Sequence, residues 1–146
     1  MANLKNITVF FVSYYSKNRI EKLIKKINKN IKILIIDNAH EKGFKAYFEK
    51  KYKNIKVIVN KYNSGQTGGI NTGLRNIKTK YSIYMDADIS FKKNIIIKFL
   101  NYANKIKDFI ILAPQHEKSK YIESFISNKN NKFKSLILMK IVHGHF

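Results

Sequence analysis

An α/β domain built on a mostly parallel sheet is the fold class that the 146-residue sequence predicts. Three observations predict it. Short runs of β-branched and aromatic residues alternate along the chain with segments whose apolar residues recur at helical spacing. The first two runs are nearly continuous in apolar residues, as in strands covered on both faces, while in a later one Tyr81, Ile83 and Met85 alternate with Ser82 and Tyr84. That later run, Tyr81 to Asp88 (YSIYMDAD), ends in two carboxylates one residue apart. Alternating strands and helices call for parallel strands joined by right-handed crossovers.

Ile7 to Val12 reads as the first buried strand. Lys17 to Lys29 follows as a helix, with Ile20, Leu23, Ile24 and Ile27 on one face and lysines on the other. Ile31 to Ile36 is the second strand, Phe44 to Tyr52 a short helix and Ile55 to Val59 the third strand. Gly65 to Ile77 is a helix opening on glycines, and Tyr81 to Asp86 a fourth strand. Phe91 to Ile106 carries the strongest helical periodicity, with Ile95, Phe99, Ala103 and Ile106 on one face. Phe109 to Ala113 is a strand stopped by Pro114, the single proline. Beyond it the chain is polar up to Lys134, with a short helix at Tyr121 to Ile126, and Ser135 to Val142 reads as a last strand. With no repeat and no linker, residues 1–146 are expected to form a single domain.

Composition bounds the function. The sequence is 45% hydrophobic, enough for a core and against disorder. It has no cysteine, which excludes disulfides, thiolate metal sites and a cysteine nucleophile. No apolar run approaches the ~20 residues of a membrane span, and Met1 to Asn6 lacks the apolar segment of a signal peptide. These features suit the cytoplasm. The formal charge of +20, from 29 basic and 9 acidic residues, asks for an anionic partner or a compositional cause. Only Arg19 and Arg75 are arginines, and the lysines are spread along the chain, so nucleic acid is disfavoured. An anionic membrane surface on the inner face of the cytoplasmic membrane remains, as does the Lys, Asn and Ile excess of an AT-rich coding sequence.

The acids define a chemistry. In an open α/β sheet, ligands bind outside the carboxyl ends of the strands, where Asp86 and Asp88 stand. Two carboxylates there suit a hard cation, Mn²⁺ or Mg²⁺, with positions left for phosphate oxygens. The glycine-rich turn at Gly65, Gly68 and Gly69 can point free backbone N–H groups at phosphate. By themselves the same glycines more often mark a tight turn or close helix packing; set between a strand and an acidic strand end, they point to diphosphate and metal.

The order and spacing of these residues carry a family likeness. Asn63-x-Gly65, then Gly68-Gly69-Ile70-Asn71-x-Gly73, then an apolar strand closing on Asp86-Ala87-Asp88, resembles the nucleotide-sugar half of a family 2 glycosyltransferase of the GT-A fold. ITVFFVSYYS resembles that family's first strand and IKILIIDNAH its second, so the likeness covers Ile7 to about Pro114.

The resemblance implies a GT-A-like domain that is incomplete at its C-terminus, lacking the acceptor half. It implies a UDP- or dTDP-sugar donor, a saccharide or lipid-linked acceptor, and inverting, metal-dependent transfer, as in the synthesis of bacterial cell-surface polysaccharide. Val12, Ser13 and Tyr14 would surround base and ribose, with Tyr14 stacking. Asp37 and Asn38 would accept the pyrimidine ring N–H, although both are also ordinary turn residues after a strand. Asn63 and Asn71 match the family's two asparagines, which either contact the donor or tie loops together. Asp86 would lie near ribose and metal, and Asp88 would be the direct metal ligand.

Three departures stand out. Ile70 occupies a position where many relatives carry a phosphate-contacting Arg, leaving that task to metal, backbone or a lysine such as Lys61. Tyr15 stands where Asn is usual. The catalytic base is expected beyond Phe146, since Glu117 and Glu123 match no motif, and His143 and His145 read as tail more than as ligands. Two other classes remain beside this reading. One is a non-catalytic nucleotide-binding or membrane-docking module, and the other a lysine-rich nucleic-acid binder.

Overall fold

The computed structural model describes residues 3–105. The segments expected at Phe109 to Ala113, Tyr121 to Ile126 and Ser135 to Val142, and residues Glu117, Glu123, His143 and His145, lie outside the described residues. The chain divides into one unit ending at Ile96 and another beginning at Ile97.

The first unit holds four strands, β1 (Ile7–Ser13), β2 (Lys32–Asp37), β3 (Ile55–Val59) and β4 (Tyr81–Tyr84), and three helices, α1 (Lys17–Ile24), α2 (Phe44–Lys51) and α3 (Gly65–Asn76). The sheet order is β3-β2-β1-β4 and every pairing is parallel. Chain order therefore runs outward from β1 through β2 to β3, then returns across the sheet to place β4 on the other side of β1. That reversal makes the carboxyl ends of β1 and β4 a topological switch point.

Strand alternation sorts the core into two layers. Phe10, Leu34 and Ile36 form one buried cluster, against which Val12, Ile58, Ile70, Ile77 and Tyr84 pack. This is the layer under α3, which lies across β1 and β2. Val9, Phe11, Ile33, Ile35 and Val57 point to the opposite face, and α1 packs on β1 and α2 on β3. Both faces of the central strands are covered, which is why Val9 to Val12 and Ile33 to Ile36 are apolar without interruption.

Two elements are shorter than their patterns suggest. Helix α1 ends at Ile24 rather than Lys29. The N–H groups of Lys26 and Ile27 bond back three residues, to Leu23 and Ile24, and this tighter turn keeps Ile27 buried while ending the α-helix. Strand β4 ends at Tyr84 rather than Asp86, although the Met85 N–H still donates to the Phe10 carbonyl.

The helix expected from Phe91 begins at Ile95, as α4 (Ile95–Lys105). Phe91 stays in the loop, its ring 5.7 Å from the Lys26 Nζ. Ala103 is buried as expected, but its companions on α4 are Ile96 and Leu100 rather than Ile95 and Phe99, and Ile106 lies outside the described residues. The run Ile95-Ile96-Ile97 and the pair Phe99-Leu100 give two adjacent apolar stripes, and spacing alone does not choose between them.

Candidate functional site

Each strand on the β1 side delivers a polar residue to the carboxyl edge. Ser13, at the end of β1, is in register with Asp37 at the end of β2. Both are buried, and among the described side chains the Ser13 hydroxyl is the buried polar atom with no hydrogen-bond partner. Tyr14 follows into solvent, 57% exposed, with its ring edge-on to Tyr15 at 4.8 Å. Tyr15 has a left-handed backbone, φ 51°, a conformation that Asn tolerates far better than Tyr.

The acidic end of β2 is occupied with its own loop. Asp37 Oδ1 accepts from the Ala39 N–H at 2.9 Å and Oδ2 from the Glu41 N–H at 3.2 Å. Asn38 is the centre of a network between elements: its Nδ2 donates to the Gly65 carbonyl at 2.8 Å, and its Oδ1 accepts from Asn60 Nδ2 at 2.6 Å and from Ser64 Oγ at 3.3 Å. Of the two side chains expected to meet a base, Asp37 thus closes its own loop, and Asn38 holds the ends of β2 and β3 against the start of α3.

The glycines divide by task. Gly65 has φ 66°, a left-handed value that favours glycine, and its N–H is taken by Asn63 Oδ1 at 3.0 Å. A Cβ on Gly68 would stand 2.5 Å from the Ser64 Cβ, one on Gly69 2.5 Å from Val12 Cγ1, and one on Gly73 2.6 Å from the Phe10 ring. Gly69 and Gly73 are buried, and they let α3 lie directly on β1. Asn71 is exposed on the same helix. Ile70 packs into the layer of Phe10, Leu34 and Ile36, so it contributes to the core and offers no charge to a phosphate.

β4 and α3 meet at the acid. Gln66, in the first turn of α3, donates through Nε2 to the Tyr84 hydroxyl at 2.9 Å and to Asp86 Oδ1 at 3.0 Å. The Tyr84 hydroxyl in turn donates to the same Asp86 oxygen at 2.5 Å. Burial, and then the bond to Asp86, hold the Tyr84 phenol well above the usual tyrosine value, so it remains a donor. Asp88 is exposed, two residues on.

Neither Gln66, Tyr84 nor Asn60 figures among the residues expected from sequence. A polar side chain in the first turn after the glycines, and a tyrosine two residues before the acid, were the available signals.

The donor set fits a hard divalent cation. Among the described residues no group of three or more His, Cys, Asp or Glu side chains comes together as a metal site. Asp86 and Asp88 are all-oxygen donors on one short loop. A pair of carboxylates completed by phosphate oxygens is how Mg²⁺-type ions are commonly held.

Comparison with known proteins gives concordant results. The family model described as glycosyl transferase family 2 matches residues 8–144. A glycosyltransferase of Haemophilus influenzae is 31% identical over 72% of this chain and 35% of its own length. One of Rickettsia felis is 33% identical over 81% of this chain and 21% of its own length. The chain thus spans about a third or less of these relatives. In fold it is similar to Staphylococcus aureus TarS residues 1–349, at a TM-score of 0.59 and 17% identity, covering 68% of this chain and 32% of that one. It is likewise similar to the mannosyltransferase PcManGT of Pyrobaculum calidifontis, solved in complex with GDP-Man and Mn²⁺, at a TM-score of 0.56 and 17% identity, covering 70% of this chain and 32% of that one.

Proposed function

The chain belongs to glycosyl transferase family 2, and from that membership we propose that residues 3–105 form the donor-nucleotide part of a sugar-transferring enzyme. The observation that carries the proposal is the junction of Gln66 with Asp86, which brings the glycine turn of α3 and the acid after β4 together at the switch point of the sheet. A nucleoside diphosphate sugar, of the UDP or dTDP type, would lie along this edge. Its base would face Val12, Ser13 and Tyr14, within reach of Asp37 and Asn38, and its diphosphate would face the turn from Asn63 through Gly65.

Asp88 and Asp86 would hold Mn²⁺ or Mg²⁺, and the solved mannosyltransferase containing Mn²⁺ supports a divalent ion in this fold. The ion supplies charge neutralisation for the leaving diphosphate. With Ile70 in the core, that neutralisation has no arginine partner at position 70, so the carboxylate pair matters more here. Transfer to a saccharide or lipid-linked acceptor, with inversion, would need a base to take the acceptor proton, which we place in the acceptor half beyond Phe146. Cell-surface polysaccharide is the product class this reading favours.

The charge favours one addition. Exposed lysines on α1, α2 and the β3 edge, among them Lys22, Lys25, Lys45, Lys50, Lys53 and Lys56, suit peripheral attachment to an anionic leaflet. No helix among the described residues is long and apolar enough to cross a membrane.

Calorimetry of the 146-residue chain with UDP and dTDP tests the donor reading. Binding should need Mn²⁺ or Mg²⁺ for full affinity and fall more than tenfold in EDTA, and Asp88→Ala should weaken it by more than tenfold, above about 1.4 kcal/mol. Equal affinity with and without metal would remove the carboxylates from the reading.

A further inference from the structure

Asp86 stands beyond the regular sheet. The ladder of β4 closes with the Met85 N–H on the Phe10 carbonyl, and the acid follows on a loop whose backbone no longer pairs with β1. A carboxylate on such a loop has rotamer freedom, and restraining it costs entropy that a ligand would otherwise have to overcome. Two side chains supply the restraint beforehand. The Tyr84 hydroxyl and the Gln66 amide both donate to Oδ1, and the amide also donates to the hydroxyl, so the three groups close a triangle of bonds at 2.5, 2.9 and 3.0 Å.

The triangle has one member on each side of a crossover. Tyr84 is anchored in the sheet, its ring 5.3 Å from that of Phe10. Gln66 belongs to the first turn of α3, whose carbonyl at Gly65 is held by Asn38. Gln66 is itself exposed, and a long exposed side chain adds little to the core, so its two bonds are better explained by what they orient than by what they stabilise.

We infer that Gln66 and Tyr84 are positioning residues for the donor site: by engaging Asp86 Oδ1 they fix the carboxylate so that its other oxygen, Oδ2, is the atom presented to the cation and ribose, and through Gln66 the carboxylate is tied to the glycine turn facing the diphosphate. This rests on the donor reading above. Metal contact and phosphate contact then move as one body. Two donors on Oδ1 also occupy that oxygen, which favours one-oxygen coordination through Oδ2 over two-oxygen coordination by Asp86.

The test uses the full 146-residue chain, with UDP and MnCl₂ as probes and calorimetry and thermal unfolding as readouts. Tyr84→Phe keeps the ring on Phe10 and removes only the hydroxyl, and Gln66→Ala changes an exposed residue, so both should unfold close to the unaltered chain. Each should weaken UDP binding in Mn²⁺ by three- to tenfold. The residual affinity for UDP in EDTA should be unchanged. The double variant should lose less than the product of the single losses, because the two donors share one acceptor.

If the unaltered chain requires Mn²⁺ while both variants bind as tightly as it does, the positioning role is wrong and the donor reading stands. If the variants lose metal-free affinity and unfolding temperature in parallel, the triangle serves stability alone and the inference falls. If the unaltered chain binds UDP equally with and without Mn²⁺, the metal part of the donor reading fails and the inference fails with it.

Discussion

Asn60 Nδ2 donates to Asn38 Oδ1 at 2.6 Å, joining the residue after β3 to the residue after β2. Asn60 also donates to Ser64 Oγ at 3.0 Å, and the Asn60 N–H donates to the Asp37 carbonyl. One side chain therefore links the two strand ends to the start of α3. Asn38 is only 3% exposed, so Asn60→Ala leaves its carbonyl with the 3.3 Å contact from Ser64 alone. A buried acceptor deprived of its main donor costs about 1–3 kcal/mol. Urea unfolding of the variant should show that loss; a change under about 0.5 kcal/mol would mean that the network is replaced by water.

Tyr15 makes the opposite case. It holds φ 51° with its side chain 67% exposed, so it carries left-handed strain with little burial in return. Tyr15→Asn should raise stability by up to about 1 kcal/mol, the strain being partly offset by the lost edge contact with Tyr14. A higher thermal midpoint checks it. A lower one would show that the tyrosine pair outweighs the backbone term.

The parallel sheet was legible because covered strands must be apolar on both sides, and Val9 to Phe11 and Ile33 to Ile36 are buried without exception. The acid at the end of β4 was legible for the same reason, since the apolar run stops there. The partners of that acid were not. Gln66 lies 20 residues before Asp86 in the chain, and their meeting depends on how α3 crosses the sheet, which no local pattern encodes.

The glycines show the same limit from another side. Gly69 and Gly73 sit four residues apart on the face of α3 that touches Val12 and Phe10. Their spacing is compatible with a phosphate turn and with helix packing, and only the position of the strand beneath distinguishes the two. In α4 the ambiguity is of phase: Ala103 is buried as expected, while adjacent apolar stripes put Ile96 and Leu100 inside in place of Ile95 and Phe99.

Acid should loosen the contact between α1 and α2. Glu21 Oε1 accepts from Lys51 Nζ at 2.6 Å and from the Tyr47 and Tyr52 hydroxyls at 2.9 Å each. Lys51 first, then Tyr52 and Tyr47, hold the carboxyl at about 2, below its ordinary 4.5, against the upward pull of burial. A carboxyl depressed on folding stabilises the protein above its unfolded value, and that stabilisation is lost as pH falls from 4.5 toward about 2. Glu21→Gln should therefore be less stable than the unaltered chain at pH 7, with the difference shrinking as pH falls through this window. Paired denaturant titrations at pH 7 and pH 3 measure it, and a gap of equal size at both would show that packing and not charge is at stake.

The surplus of positive charge makes a final prediction. A net +20 on 146 residues creates a potential that attracts anionic surfaces whatever their chemistry, and the question is which surface holds the protein at physiological salt. Lysine is a hydrated point charge without the bidentate geometry that phosphodiester backbones and bases reward, and all but two of the 29 basic residues are lysines. Lipid headgroups ask for no such geometry; they reward number and exposure at about 1 kcal/mol per residue near the surface, within a Debye length of ~8 Å. Vesicles with anionic lipid should therefore bind the chain at low salt and release it as salt rises, while neutral vesicles leave it in solution. Retention of UDP binding by the vesicle-bound protein would leave the carboxyl edge of the sheet clear of the membrane. Equal binding to neutral and anionic vesicles would refute the electrostatic account, and salt-resistant binding to a defined nucleic acid would turn the charge toward that partner instead.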